Sequence, residues 1–319
     1  MLFFAEVLTA GLLAGAMYAL VALGFVLIFK ASGIFNFAQG AMVLFAGLTF
    51  VSLLEGRVPL IPEPVMPGGL PLWLALVIVL IVMILLAVAV ERVVLRPLVA
   101  QSGITLFMAT MGLAFFIEGF AQALWGTQPH GLDQFLAEVG LEDLSLDVYG
   151  VLVSELDLVA GIVAAALVLA TVFYFHRTKM GRAMRAVSDD HEAALSVGIP
   201  LSTVWTITWT IAGIVALIAG IMWGARLGVQ YSLSLVYLKA LPVLIIGGFT
   251  SISGAIVGGL IVGATEKLGE IYIPILAETL IDPQVQARGV ETFLPYLLAT
   301  VFLLFRPYGL FGEEIIERV

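Results

Sequence analysis

Long apolar runs dominate this chain and leave it few folds to choose from: they fall near residues 6–29, 36–54, 71–91, 104–125, 156–175, 203–225, 236–248, 254–272 and 291–305. A helix must present about 20 mainly apolar residues to cross a hydrocarbon core about 30 Å thick, because it rises about 1.5 Å per residue. With 61% hydrophobic residues, 12% charged residues and a mean hydropathy of +1.13, the chain has apolar length for many crossings and too little polar surface for a water-soluble domain. The expected fold class is all-α: a polytopic membrane bundle of about 8–9 segments forming a single transmembrane domain over residues 1–319. The first run lacks a basic leader and exceeds the apolar core of a secretory signal, so it reads as a retained helix, with a cleaved signal as the alternative. Cysteine is absent, which excludes disulfides, a thiolate nucleophile and cysteine-based metal sites.

The cations sort by side. Lys30, Arg92, Arg96, Arg177, Lys179, Arg182, Arg185, Arg306 and Arg318 fall on connections that share one face of the membrane, and retention of Lys and Arg in the cytoplasm makes that face the inner one. The opposite connections hold Arg57, Arg226 and Arg288, and the stretch of about 126–155 carries Asp133, Glu138, Glu142, Asp143 and Asp147 without a single Lys or Arg. The amino terminus is therefore expected outside and the carboxyl terminus in the cytoplasm. The net charge of -9 says little about partners, because sidedness rather than the sum of charges governs a membrane protein.

Two interruptions stand out. Segments 236–248 and 254–272 are joined by Gly247-Gly248-Phe249-Thr250-Ser251-Ile252-Ser253-Gly254, and the first is too short to cross unaided. They read either as two passes with a tight turn or as a re-entrant pair, and irregular backbone at that depth must be buried in protein or line an aqueous cavity. The glycines, continuing through Gly258, Gly259 and Gly263, suit close helix packing. They also suit a broken helix that offers dipole ends and backbone groups to a solute, which makes Gly247, Gly248, Ser251, Ser253 and Gly254 candidate path residues. The second interruption is Phe35-Asn36-Phe37-Ala38-Gln39-Gly40, where Asn36 is expected to cap the second helix. Asn36 and Gln39, three apart, share a helical face and become candidate path residues if that face turns inward.

Charged residues inside apolar runs are costly, about 2.5–3.5 kcal/mol at a helix centre on insertion scales. Glu118, in MGLAFFIEGFAQALW, must face protein or water and serves either as a structural hydrogen-bonding group or in transport. Lys239, Glu266 and Lys267 read as lying near helix ends, where snorkelling to the interface explains them. Trp73, Trp125, Trp205 and Trp223 fall where an interfacial aromatic belt is expected. His130, His176 and His191 are scattered, and no HExxH, GxSxG or GxxxxGK[ST] pattern occurs, so neither catalysis nor nucleotide binding is expected of this chain.

Between the fifth and sixth long runs lies HRTKMGRAMRAVSDDHEAALSVGIP, residues 176–200, in a loop of about 177–202. From Gly181 onward Ala183, Met184, Val187, Ala194, Leu195 and Val197 are apolar against Arg182, Arg185, Ser188, Asp189, Asp190 and Glu192, and Gly198 with Pro200 ends the pattern. Such a helix is too polar to span. It suits either an acidic lipid surface or the groove of a partner protein.

Glu192-Ala193-Ala194 followed by Gly198 resembles the EAAxxxG element of ABC-importer permeases, and GRAMRAVSDDHEAALSVGI is similar to the matching loop of the branched-chain amino acid permeases. GLLAGAMYALVALGFVLIFKASGIFNFAQGAMVLFAG and KALPVLIIGGFTSISGAIVGG resemble the same family, its LivH-like branch in particular. The resemblance implies a transport subunit rather than an enzyme, without cofactor or nucleic acid, in a bacterial or archaeal cytoplasmic (inner) membrane. Its implied partners are two cytoplasmic ABC ATPase subunits, a second permease subunit that is LivM-like or a second copy, and an extracytoplasmic solute-binding protein. It also implies that Gly181–Ile199 is a coupling helix, with Arg182, Arg185, Asp189, Glu192, Ala193, Ala194 and Gly198 at the ATPase groove, and that amino acids pass near Asn36, Gln39 and the glycine-rich break. Urea or short amides as solutes, or a standalone secondary transporter or channel, are the competing readings.

Overall fold

A computed structural model describes residues 2–61, 63–66, 68–98, 101–141, 145–148, 150–189, 191–280 and 289–312. In chain order the elements are α1 (Leu2–Ser32), α2 (Gln39–Leu54), α3 (Leu72–Ala89), α4 (Gly103–Trp125), α5 (Asp133–Glu138), β1 (Ser145–Val148), β2 (Val151–Ser154) and α6 (Glu155–Arg177). They continue with α7 (Lys179–Asp189), α8 (His191–Ser196), α9 (Leu201–Leu227), α10 (Val236–Gly247), α11 (Ile252–Leu280) and α12 (Val290–Phe305). Each of the nine apolar runs is a helix. By length and composition α1, α3 with its continuation to Leu98, α4, α6, α9 and α11 can cross a membrane, while α2, the Tyr231–Gly247 segment and α12 are shorter apolar helices.

The contacts divide the chain into two compact units, and α1 and α6 each contribute residues to both. The first comprises residues 1–22, 142–166 and 238–319. In it α1 and α11 meet backbone to backbone through small residues: a Cβ on Gly15 would lie 2.5 Å from the Gly259 carbonyl oxygen, and one on Gly11 2.9 Å from that of Gly263. Helices approach this closely only where side chains are missing, and in lipid such packing replaces the hydrophobic drive that water would supply. Gly258 packs in the same way on the Val243 carbonyl, and Gly247 and Gly254 touch across the α10–α11 turn. Gly248 turns the chain there with φ +103, a conformation costly for any residue with a Cβ.

The eighth apolar run is expected to end near residue 272, just past Glu266, Lys267 and Glu270. The helix instead runs 29 residues to Leu280. Lys267 and Glu270 pair at 2.7 Å one turn apart, so their charges are met on the helix itself and do not end it. Glu266 is consequently the middle residue of α11 and not an end residue, which removes snorkelling as its explanation.

The second unit comprises residues 23–141 and 167–237 and is organised around α2. Every residue of α2 except Leu53 is buried, and the helix packs on α3, α4 and α9. Small residues again set the closest approach, with a Cβ on Gly220 of α9 falling 2.6 Å from the Val43 carbonyl oxygen. Trp125, Trp205 and Trp223 sit near helix ends as expected, yet they are packed into protein rather than ranged in an exposed belt. Trp125 Nε1 donates to Thr49 Oγ1 at 3.1 Å and Trp205 Nε1 to the Ala31 carbonyl at 3.1 Å. Only Trp73, 67% exposed, keeps the interfacial position. Within the acidic stretch of 126–155 the chain forms α5 and a two-stranded antiparallel hairpin, Ser145 opposite Ser154.

Gly15→Val should separate α1 from α11 and lower the melting temperature of the detergent-solubilised protein, at a cost of about 1–3 kcal/mol typical of overpacking. Gly112→Ala, where an added Cβ meets nothing within 4 Å, should leave the melting temperature unchanged or slightly raised.

Candidate functional site

The polar loop after α6 is two short helices rather than the single helix expected from Gly181. Thr178 begins α7: its Oγ1 accepts from the Gly181 amide at 2.9 Å and donates to the Tyr174 carbonyl at 2.8 Å. Gly181 is therefore an interior residue of the first turn, and its missing side chain lets α7 lie directly on the Tyr174 and Phe175 carbonyls. Arg185 Nη1 donates to that Phe175 carbonyl at 2.5 Å. Met184, Val187 and Ala194 are buried, and both α7 and α8 rest on α9. Arg182, Asp189 and Ala193 are exposed, and Glu192 is the second residue of α8. Gly198, exposed with φ +89, closes the loop before α9. Leu195 and Val197 are 53% and 80% exposed, with nothing among the described residues covering them.

The break between α1 and α2 is buried. Asn36 does not cap α2, whose N-cap residue is Ala38 and carries no side-chain cap; Asn36 Oδ1 instead accepts from the Ala38 amide at 3.0 Å, before the helix begins. Asn36 Nδ2 donates to Gln39 Oε1 at 3.3 Å, and Gln39 Nε2 donates to the Ala212 carbonyl of α9 at 3.4 Å. Both amides are fully buried, and they fasten the break to α9. Phe37 makes edge contacts with Phe107 and Tyr237 over it. Glu118 on α4 is 8% exposed and has no hydrogen-bond donor among the described residues, while its carboxylate acts electrostatically on the Tyr237 hydroxyl.

At the glycine-rich break, Ser251 caps α11 by accepting from the Gly254 amide at 3.0 Å and lies 3.0 Å from the Ser253 hydroxyl. The carbonyls of Ile246 and Gly247 at the end of α10 are taken by the amides of Leu310 and Phe311, at 2.8 and 3.1 Å. Gly247, Gly248 and Gly254 thus serve a backbone contact here, with α10's last carbonyls already satisfied.

Two polar clusters escaped the sequence reading. In the first unit Lys239 Nζ lies 2.6 Å from Glu266 Oε1 and 3.2 Å from the Tyr18 hydroxyl, with its charge 5.7 Å from the Tyr18 ring centroid. In the second, Glu91 is fully buried in the π-helical turn Val90–Leu95, holds Arg96 through both oxygens at 3.0–3.1 Å, and accepts from Thr206 Oγ1 at 2.9 Å. An acidic residue inside an apolar run signalled each, but the cationic and hydroxyl partners of Glu266 lie far away in sequence.

Residues 7–304 match the family described as branched-chain amino acid transport system / permease component. Over 324 aligned residues the chain is 26% identical to the high-affinity branched-chain amino acid transport system permease protein LivH of Salmonella typhimurium, covering 100% of this chain and 98% of that one. BraD of Pseudomonas aeruginosa, of the same description, is 26% identical over 98% of this chain and 97% of its own length. A probable LivH of Methanocaldococcus jannaschii is 24% identical over 97% and 92%. Among solved structures, PsaBC from Streptococcus pneumoniae in complex with Fab aligns over 96% of this chain and 94% of that one at 11% identity and a TM-score of 0.47. With a family match running from the first transmembrane helix to the last, this chain belongs to the branched-chain amino acid permease family of ABC transporters.

Proposed function

We propose that this chain is one of two membrane subunits of an ATP-driven importer that carries branched-chain amino acids inward, with α7–α8 as the coupling element for a cytoplasmic ATPase. The observation that carries this reading is the exposed apolar face of Leu195 and Val197 on a loop whose buried side, Met184, Val187 and Ala194, is already packed. A short helix fixed from behind and apolar in front suits the groove of a partner protein. Arg182, Asp189, Ala193 and Gly198 are exposed on the same loop, Arg185 and Ala194 hold it from behind, and with Glu192 of α8 these residues are proposed to meet the ATPase. The chain has no nucleotide-binding motif, so ATP hydrolysis belongs to separate subunits, and the free energy enters as movement of α7–α8. Gly181 and Arg185, seated on the last carbonyls of α6, pass that movement to a long helix without slack.

In this reading the loop lies in the cytoplasm, the amino terminus outside, and the protein in the cytoplasmic membrane beside a second permease subunit, with an extracytoplasmic binding protein delivering the solute. The candidate path residues are the α1–α2 break with Glu118 in the second unit and, in the first, the Gly247–Gly254 turn. Asn36 and Gln39 hold the first break in shape, and Glu118 offers an unmatched carboxylate to an ammonium group.

Leu195→Glu should reduce co-purification of the cognate ATPases about tenfold, as expected for loss of a central interface anchor worth more than 1 kcal/mol. Gly198→Pro should do the same because φ +89 is closed to proline, while Val197→Ile should not. Normal co-purification and uptake in both disruptive variants would remove α8 from the coupling role. Asn36→Ala and Gln39→Ala should each lower uptake of radiolabelled leucine into proteoliposomes holding the assembled complex, with the permease pair still intact by size-exclusion chromatography. Unchanged uptake kinetics would separate these residues from the path.

A further inference from the structure

The three groups of the Lys239 cluster all lie away from the ends of their apolar segments: Glu266 is the middle residue of α11, Tyr18 is one residue from the middle of α1, and Lys239, in the first turn of α10, is the middle residue of the longer Tyr231–Gly247 segment. An ion pair at that depth is a costly way to hold helices together: two charges must be taken from water, and replacing such pairs by apolar residues is often neutral or stabilising. The glycine contacts already join these helices without it. Ionisable groups within membrane segments instead mark the paths of solutes and ions.

The pairing is also incomplete. Glu266 is 8% exposed, yet only Oε1 has a partner, and the buried Oε2 accepts no hydrogen bond among the described residues. Lys239 carries three N–H donors, directs them at Glu266 and Tyr18, and keeps 38% of its side chain open. It stands on α10, a short helix with Pro242 inside it, and discontinuous helices at mid-membrane depth are where transporters place their solutes.

We propose that Lys239, Glu266 and Tyr18 form a solute site that takes the zwitterionic head of an amino acid by exchange of partners. The α-carboxylate replaces Glu266 Oε1 on the Lys239 ammonium, and the α-ammonium binds the Glu266 carboxylate, whose Oε2 has no donor in the empty protein and gains one. Tyr18 donates its hydroxyl to the incoming carboxylate. One internal ion pair becomes two across the solute with no change in net charge, so a zwitterion enters at a cost that a singly charged or neutral molecule does not share. The empty site re-forms its own pair when the solute leaves. This inference rests on the amino acid importer reading and adds the residues that hold the solute head.

The test uses the full complex with its partner permease, ATPases and binding protein in proteoliposomes, with L-leucine as the probe. Lys239→Met with Glu266→Gln removes both charges and leaves no buried charge unpaired. If the pair were structural, this double variant would transport as wild type. The exchange site requires leucine uptake to fall about tenfold or more at saturating loaded binding protein, since two charge-assisted contacts are lost, with the complex still assembled and its melting temperature kept.

Lys239→Arg covers the case in which the double variant fails to assemble. A guanidinium grips both oxygens of Glu266 and satisfies Oε2, so a structural pair would be as stable or more so. An exchange site would be locked shut and uptake would fall by a similar factor. Wild-type uptake in Lys239→Arg overturns the proposal, as it does in an assembled double variant. Wild-type complex that hydrolyses ATP without moving leucine overturns the importer reading itself, and the solute site with it.

Discussion

Contact between helix backbones at glycine is the interaction on which this structure depends. Where Gly15 meets Gly259 and Gly11 meets Gly263, α1 and α11 come close enough for dispersion and weak polar contacts between main chains to hold them. Gly258 brings α10 onto α11 by the same means, and Gly220 brings α9 onto α2. Lipid cannot drive helices together as water does, so what joins them is the absence of side chains on one narrow stripe of each. In the first unit these stripes also bring polar groups together: Gly15 seats α1 on α11 and Gly258 seats α10 on α11, and Tyr18, one turn after Gly15, meets Lys239 of α10 at 3.2 Å.

The polar groups themselves fall into two kinds. Asn36, Gln39, Ser251 and the α10 carbonyls are matched inside the chain, as apolar surroundings demand. Glu118 and Glu266 are not fully matched among the described residues, although burial makes an unmet carboxylate oxygen expensive. In the importer reading proposed above, that difference separates groups that keep the fold from groups left for the solute. The α7–α8 loop repeats the contrast in apolar terms, with Met184 and Val187 inside and Leu195 and Val197 outside.

All nine apolar helical segments were legible from residue order: six are long enough to span, and the three shorter ones are apolar runs bounded by breaks. The short helix before Gly248 and the turn after it were legible too, as was the loop that α7 and α8 occupy. What was not legible is pairing at a distance. Lys239 and Glu266 are 27 residues apart in sequence, and neither shows the other by local spacing. Ending the eighth segment at its charges displaced Glu266 from the middle of its helix toward an end and suggested snorkelling. Asn36 was read correctly as a residue that satisfies a backbone amide, but which amide depends on a break geometry that spacing does not carry. The tryptophans misled for a related reason: helix ends in a bundle can be covered by protein as readily as by headgroups.

The burial of α2 has a consequence for where such a protein can live. A helix enclosed by its neighbours never meets lipid, and its 16 residues answer to the dimensions of α3, α4 and α9 and not to the thickness of the bilayer. Adaptation to a thicker or thinner membrane falls on helices such as α3, which presents Trp73, Val77, Ile81 and Leu85 outward. Hydrophobic mismatch there is met by tilt or by local deformation of lipid at fractions of a kcal/mol per ångström. The chain thus carries an outer layer tuned to its host membrane around an interior that any host could leave unchanged.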